Sequence, residues 1–428
     1  MPLSPPSFPT DVVQQIFSFF SEKLSTNNPT RFPWFLGHIC STWRSLYLSM
    51  TTEFWYSFSI SFDPKRSMRT TISIIRFFIE RNPEDPISFT FEFPHYPHHL
   101  SEFTQQQVDD IGYIIEMLVD SSMRWEDVYF FSRATDLLPL IRVKNRLPLL
   151  RALRLSLIRG FDEVPDQLYN IFEVAPSLNL IYTEDLADWK FNWSNLKNMT
   201  TSRLGSGAFV TALPQMTKLE RLLIHTAFGP LLTSVVVLPH LRMLHCHVSW
   251  LPSLKAPALA ELTVSSWSES SDHDSDSADS SSSDITLSFL HRSSCTILLL
   301  GIESTGAATA IEIIRHTPHV VHLYLVDITN TGNVLEELTI SPNPTQVSLA
   351  RHMVSLEIYD DGDDVTNDDI GQLCRLILSR STNCAANNDG HKKLEGLRLD
   401  GRLSGVSEND KFVDLLSVCE EHDVGYNE

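Results

Sequence analysis

An apolar spacing of i, i+3 and i+5 recurs along most of this chain and constrains its fold more than any other feature. The copies are Trp125/Val128/Phe130, Leu150/Leu153/Leu155, Leu178/Ile181/Thr183, Leu196/Met199/Thr201, Leu219/Leu222/Ile224, Leu241/Leu244/Cys246, Leu259/Leu262/Val264, Cys295/Leu298/Leu300, Val320/Leu323/Leu325, Met353/Leu356/Ile358 and Leu394/Leu397/Leu399. Each ends in a short alternating run, the pattern of a strand with one buried face. Between copies the spacing turns helical, as in Val108/Ile111/Ile114/Ile115/Leu118, Leu168/Ile171/Phe172, Ile311/Ile314 and Ile370/Leu373/Cys374/Ile377/Leu378. Pro148, Pro176, Pro214, Pro239, Pro257 and Pro318 stand at or shortly before the strand-like pieces, where they would stop a preceding helix. Helix or coil, proline, short strand is the unit of a solenoid, whose stacked neighbours bury a continuous core.

Many of these intervals fall near the roughly 20 to 29 residues of leucine-rich repeats, which the pattern resembles. The units are irregular and lack the tandem asparagine of the strict consensus, so the resemblance implies a degenerate arc with parallel strands on its concave face. Residues 63–124, with the alternating Ile87/Phe89/Phe91/Phe93 run and a helix after it, are expected to form an atypical capping unit. The tail after Leu399 would cap the other end. At 428 residues, length alone allows two or three domains or one repeat array.

The first sixty residues read differently. Pro9 and Thr10 punctuate a helix start, Asp11 suits the positive end of its dipole, and Val12, Val13, Ile16, Phe17 and Phe20 give it a wide apolar face. A second helical pattern carries Phe35, Leu36, Ile39, Cys40, Trp43, Leu46 and Tyr47, and Phe54, Trp55 and Phe58 close the segment. This is more large apolar surface than a three-helix unit of that size can hide. The surplus either packs against the rest of the chain or forms a docking surface for another protein's helices.

The blocks Phe8-Pro9-Thr10-Asp11-Val12-Val13-Gln14-Gln15-Ile16-Phe17, Leu36-Gly37-His38-Ile39-Cys40-Ser41-Thr42-Trp43-Arg44 and Phe54-Trp55 resemble the F-box, in particular the F-box-like proteins abundant in mushroom-forming fungi. Phe8 replaces the usual Leu and Asp11 the usual Glu, and the link between the first two helices is somewhat long. The resemblance implies an interface with the Skp-type adaptor of a cullin-based ubiquitin ligase. Pro9, Val12, Val13, Ile16, Phe17, Ile39, Cys40 and Trp43 would be the contacts or the packing behind them. The fold expected is therefore an α/β repeat: a three-helix F-box over residues 1–62, then an irregular leucine-rich-repeat-like α/β solenoid over 63–428.

Charge and cysteine usage narrow the function classes. Lys plus Arg number 33 against 53 Asp plus Glu, a formal net charge of -20 that repels phosphate backbones and anionic lipid headgroups. Neither a nucleic-acid partner nor a membrane is expected. No secretory h-region opens the sequence and no apolar stretch approaches the ~20 residues of a bilayer span. Six cysteines without a C-x-x-C pair fit reduced thiols, which places the protein in the cytoplasm or nucleus. The Ser- and acid-rich run 265–284 cannot bury enough apolar surface to offset ordering entropy and is expected to be a disordered insertion. It reads either as a solvated loop or, with Ser271 three residues before Asp274, as a substrate for an acid-directed kinase.

Local catalytic and metal motifs are not evident. His95, His98 and His99 lie in a Pro-rich turn without zinc-site pairing, and in an alternating strand His245 and His247 would face away from Cys246. The acidic stretches at Asp360–Asp364 and around Asp389-Gly390 do not match a calcium loop. Gly205-Ser206-Gly207 lacks the spacing and lysine of a phosphate loop, and no G-x-S-x-G elbow is present. The reading is of a protein with no enzyme activity and no cofactor, the substrate-recognition subunit of an SCF-type ligase whose repeats hold an unknown target protein. The alternative is a binding scaffold that assembles no ligase.

Overall fold

Pro176, Pro239 and Pro257 follow no α-helix, contrary to the helix-stopping role expected of them, and like Pro318 they build turns instead. In Ala175-Pro176-Ser177-Leu178, Leu238-Pro239-His240-Leu241, Ala256-Pro257-Ala258-Leu259 and Thr317-Pro318-His319-Val320, the fourth residue's N–H donates to the first residue's carbonyl at 3.1, 3.3, 3.3 and 3.2 Å. Proline's fixed φ suits the second position of such a turn. A strand begins two residues beyond each of the four turns, so the turn sets where the chain enters the sheet.

The structure is a computed structural model. It describes residues 9–20, 24–26, 28–50, 54–65, 67–81, 83–93, 103–158, 164–185, 188–203, 207–225, 234–266, 276–340, 349–360, 367–386, 392–401, 410–422 and 424–427. The chain divides into two units, residues 1–196 and 197–428. Both are α/β and built on parallel strands.

In the first unit the elements run α1 (Thr10–Ser18), β1 (Leu24–Ser25), α2 (Ser41–Ser49), β2 (Ser57–Ser61), α3 (Met68–Arg81), β3 (Ile87–Glu92), α4 (Gln105–Asp120), β4 (Trp125–Ser132), β5 (Ala152–Leu157) and β6 (Leu180–Asp185). The strands lie side by side in chain order. Phe58, Phe89, Val128, Leu153 and Ile181 stand in register across β2 to β6, as do Ile60, Phe91, Phe130, Leu155 and Thr183. All ten are buried. Helix α4 shows how local sequence fixes an element: Thr104 Oγ1 accepts from the Gln107 N–H while Gln107 Oε1 accepts from the Thr104 N–H, a capping box. Ile111, Ile114, Ile115 and Leu118 then face inward, as their spacing predicts.

The second unit runs β7 (Asn198–Arg203), α5 (Gly207–Ala212), β8 (Arg221–Ile224), β9 (Val236–Val237), β10 (Met243–His247), β11 (Leu254–Lys255), β12 (Glu261–Ser265), α6 (Asp276–Ser293), β13 (Leu299–Glu303), α7 (Ala307–Arg315), β14 (His322–Val326), α8 (Thr331–Leu338), β15 (Ser355–Asp360), α9 (Asn367–Ala386), β16 (Gly396–Gly401), α10 (Asp410–Glu421) and β17 (Gly425–Asn427). Among the described residues β9 and β11 pair only with each other, and the other strands follow chain order. Leu222, Leu244, Leu262, Leu300, Leu323, Leu356 and Leu397 form one buried row across β8 to β16. Cys246, Val264, Ile302, Leu325, Ile358 and Leu399 form the next. Burying each large aliphatic side chain contributes about 1.5 to 3 kcal/mol.

Several expectations need correction. Strand pairing already begins at Leu24, and β3, expected to belong to a capping unit over 63–124, lies between β2 and β4 as an internal strand. The same spacing is present as Trp55/Phe58/Ile60, exposed by no more than 2% each. In the copy near 300 the frame is two residues later than the Cys295/Leu298/Leu300 reading. Leu298 is 46% exposed, whereas Ile297, Leu300 and Ile302 are buried. An unbroken apolar run satisfies both frames, and register with Leu262 and Leu323 decides between them.

Leu168, Ile171 and Phe172 are all buried, but Pro165 and Pro176 bracket a 3-10 turn (Asp166–Leu168) and further turns instead of a helix. The run expected to be disordered is divided. Ser265 ends β12, residues 267–275 lie outside the described residues, and Asp276 opens α6. That helix continues into the fully buried Thr286 and Phe289, and Arg292 donates to the Leu251 and Leu254 carbonyls at 2.6 and 2.9 Å. The helix thus reaches back into the Ser/Asp tract from a packed C-terminal half.

Candidate protein-docking surface

Pro9 is the N-cap of α1, and its carbonyl accepts from the Val13 N–H at 3.1 Å. The helix ends after two and a half turns, and its apolar face splits. Val13 is 3% exposed and Phe17 fully buried, while Val12 and Ile16 are half-buried and Pro9 is exposed. Phe17 presents its ring edge-on to Trp43, Tyr47 and Phe54, with centroids 5.1, 6.1 and 6.4 Å away. Phe32 continues this aromatic core through Trp55 and Phe78. Trp55 Nε1 donates to the Tyr47 carbonyl at 3.1 Å, and burial pushes the Tyr47 phenol above its ordinary pKa.

The second helical pattern is interrupted. Trp34–His38 forms a 3-10 helix after Pro33, and α2 starts only at Ser41. Cys40 supplies the break: extended in backbone, its Sγ accepts from the Trp43 N–H at 3.4 Å and so caps α2. Gly37 lies close to the Tyr47 ring, where a Cβ would sit 3.3 Å from Cδ1, and its carbonyl accepts from Arg44 Nε at 2.6 Å. Leu36 is therefore buried, but Phe35 and Ile39 point to solvent at 53% and 54% exposure.

The expected site residues thus separate into two groups. Val13 and Phe17 are core and act as support. Pro9 and Ile39 are exposed, and Val12, Ile16, Cys40 and Trp43 are partly accessible. The segment also exposes Phe19, Phe20 and Phe35, which were not among the expected contacts. Phe19 and Phe20 follow the last residue of α1, so the helical period no longer governs them. Phe20 meets Phe35 edge-on at 5.5 Å. The excess of large apolar residues over what so short a segment can bury was the signal for them.

Other groups flagged by the sequence lie elsewhere. His245 Nε2 pairs with Glu303 Oε2 at 3.3 Å and its ring is 4.8 Å from that of His225. Cys246, on the opposite face, is fully buried, and burial pushes its thiol upward. His95, His98, His99, Asp361–Asp364, Asp389, Gly390, Gly205, Ser206 and Ser271 lie outside the described residues. No helix among the described residues is long and apolar enough to cross a membrane. Compared with known proteins, the chain matches no protein-family model and no curated relative.

Proposed function

We propose that this chain is the substrate-recognition subunit of an SCF-type cullin ubiquitin ligase working in the cytoplasm or nucleus. In this reading the N-terminal segment is an F-box that docks on a Skp-type adaptor. The parallel strands are an irregular leucine-rich-repeat-like solenoid that holds a target protein. The chain itself performs no chemistry; it raises the effective concentration of a target lysine near the ligase's reactive thioester.

The observation that carries the reading is the solvent-facing set Phe19, Phe20, Phe35 and Ile39, on the segment with F-box-like spacing. Side chains of this size left at the surface beside a packed aromatic core are what a partner's helices would cover. Direct binding to a purified Skp-type adaptor tests it. The intact chain is expected to bind, and a Phe35→Ser/Ile39→Asp variant to lose at least tenfold in affinity while keeping its fold. Equal binding by both proteins would count against the proposal.

A specific observation favours a second reading, a scaffold that assembles no ligase. Residues of the same segment form β1 and β2, and Trp34 and Trp55 meet Phe77 of α3 at ring centroids 6.2 and 5.8 Å apart, tilted and edge-on respectively. Part of the apolar surplus therefore packs on the chain itself. Whether cullin accompanies the adaptor separates the two.

A further inference from the structure

On β14, β15 and β16 the residues that alternate with the buried rows bring together two phenols, a carboxylate and a guanidinium. Tyr324, Glu357 and Arg398 are in direct register, and Tyr359 follows two residues after Glu357 on the same face. The two tyrosine rings are 4.8 Å apart at 46°. Tyr359 donates its hydroxyl proton to Glu357 Oε2 at 2.9 Å, and the Arg398 guanidinium carbon is 5.3 Å from the Tyr359 centroid. Arg398 is exposed and the other three are half-buried, so the cluster is open to solvent.

Burial, together with the acceptor Glu357, pushes the Tyr359 phenol up to about 12. It stays protonated at neutral pH and keeps the carboxylate oriented. One strand earlier, Gly301 is in register with Tyr324, and the Thr263 side chain of β12 fills the space that a Cβ would take there. Further along the same face, Glu303 on β13 and Glu261 on β12 add negative charge.

We propose that this tyrosine–carboxylate platform binds a cationic side chain, arginine above all, presented by a basic segment of the target protein. The proposal rests on the reading of the strands as the target-holding surface. Three observations support it. A guanidinium already lies against Tyr359 within the ~6 Å of a cation–π contact, so the ring accepts a planar cation in this geometry. Tyr324 offers a second π face next to a fixed carboxylate, the combination that matches guanidinium in both charge and shape. The net charge of -20 attracts basic partners and repels acidic ones.

Arg398 is then an internal competitor for the same platform, and this gives the proposal an unusual sign. The test uses the full chain and a fluorescent Gly/Ser peptide carrying two arginines, read by anisotropy, beside the same peptide carrying two glutamates. Tyr324→Ala/Glu357→Gln is expected to weaken arginine-peptide binding about tenfold. Arg398→Ala is expected to tighten it several-fold. Glu336→Gln/Glu337→Gln, which removes two exposed carboxylates from α8, should leave it unchanged.

Weaker binding by the Arg398 variant, preference for the glutamate peptide, or an equal loss in the α8 control would overturn the proposal. Thermal melts of each variant guard against misfolding, and the gain expected on removing Arg398 cannot arise from unfolding. Adaptor binding is measured on the same proteins. If the intact chain fails to bind adaptor yet shows these arginine-peptide results, the ligase reading falls while the platform stands.

Discussion

Gly301 gives a prediction whose sign depends on one neighbour. It sits on β13 between the buried Leu300 and Ile302, in register with Thr263 of β12. A Cβ built there would lie 2.6 Å from Thr263 Oγ1 and 2.8 Å from Cγ2. Ordinary contact begins near 3.4 Å, so Thr263 must yield by most of an ångström, and the backbone pairing of β12 with β13 prevents the strands from separating. Forcing an off-rotamer threonine or shifting the strand costs about 1 to 3 kcal/mol. Against this, replacing glycine in a strand recovers about 0.5 to 1 kcal/mol of backbone entropy.

Gly301→Ala is therefore expected to destabilise the protein by about 1 to 2 kcal/mol when Thr263 is present. In a Thr263→Ala background, where Oγ1 and Cγ2 are gone and only the 3.0 Å approach to the Cβ remains, the same substitution should cost clearly less or be close to neutral. Urea denaturation followed by circular dichroism on the four proteins of the double-mutant cycle measures this directly. A Gly301→Ala cost of the same size in both backgrounds would show that the penalty does not come from the threonine.

Other predictions bear on the docking segment, the register and the titratable groups. Phe17→Ala should cost about 3 to 5 kcal/mol, since it empties the centre of an aromatic core, whereas Phe19→Ser at 87% exposure should leave the urea midpoint nearly unchanged. Ile297→Ala should destabilise by about 2 kcal/mol or more and Leu298→Ala by clearly less, a comparison that tests the frame assigned to β13. Burial, then the neighbouring His245, holds the His225 imidazole below its ordinary value, with Glu303 pulling the other way. The unfolded chain consequently binds that proton more readily. Stability should fall as pH drops below about 6.5, and His225→Gln should reduce the slope in thermal melts between pH 7 and 5. Burial and nearby Cys374 push the Cys419 thiol up to about 11, so it should react with a thiol reagent more slowly than the half-buried Cys40.

Much of the fold could be read from residue spacing because strand period and turn chemistry are local. The i, i+3, i+5 sets located β4 to β8, β10, β12 and β14 to β16, since one buried face of a strand must alternate and its entry turn needs a fixed φ. The spacing was ambiguous in the apolar run around Leu298, where only the partners across the sheet distinguish two frames. It also understated the segment before Trp125, because aromatic residues such as Trp55, Phe58 and Phe89 take the places that leucines hold later. Phe35 and Ile39 were placed on one helix with Trp43, but the cap made by Cys40 resets the helical phase and turns them outward. Seeing which of Val13, Phe17, Ile39 and Phe20 face solvent required the packed core, since amphipathic period alone does not say which side a partner covers. The tyrosine–carboxylate platform had no sequence signature, as its members come from three strands and meet only through sheet register.

In the proposed function the N-terminal segment links these strands to a ligase through an adaptor. Co-purification of the intact chain with a Skp-type adaptor and a cullin, beside a Phe19→Ser/Ile39→Asp variant whose circular dichroism is unchanged, tests this link most directly. The intact chain is expected to carry both proteins in one complex and the variant neither. Adaptor without cullin would leave only the scaffold reading, and capture of neither by the intact chain would contradict the proposed function.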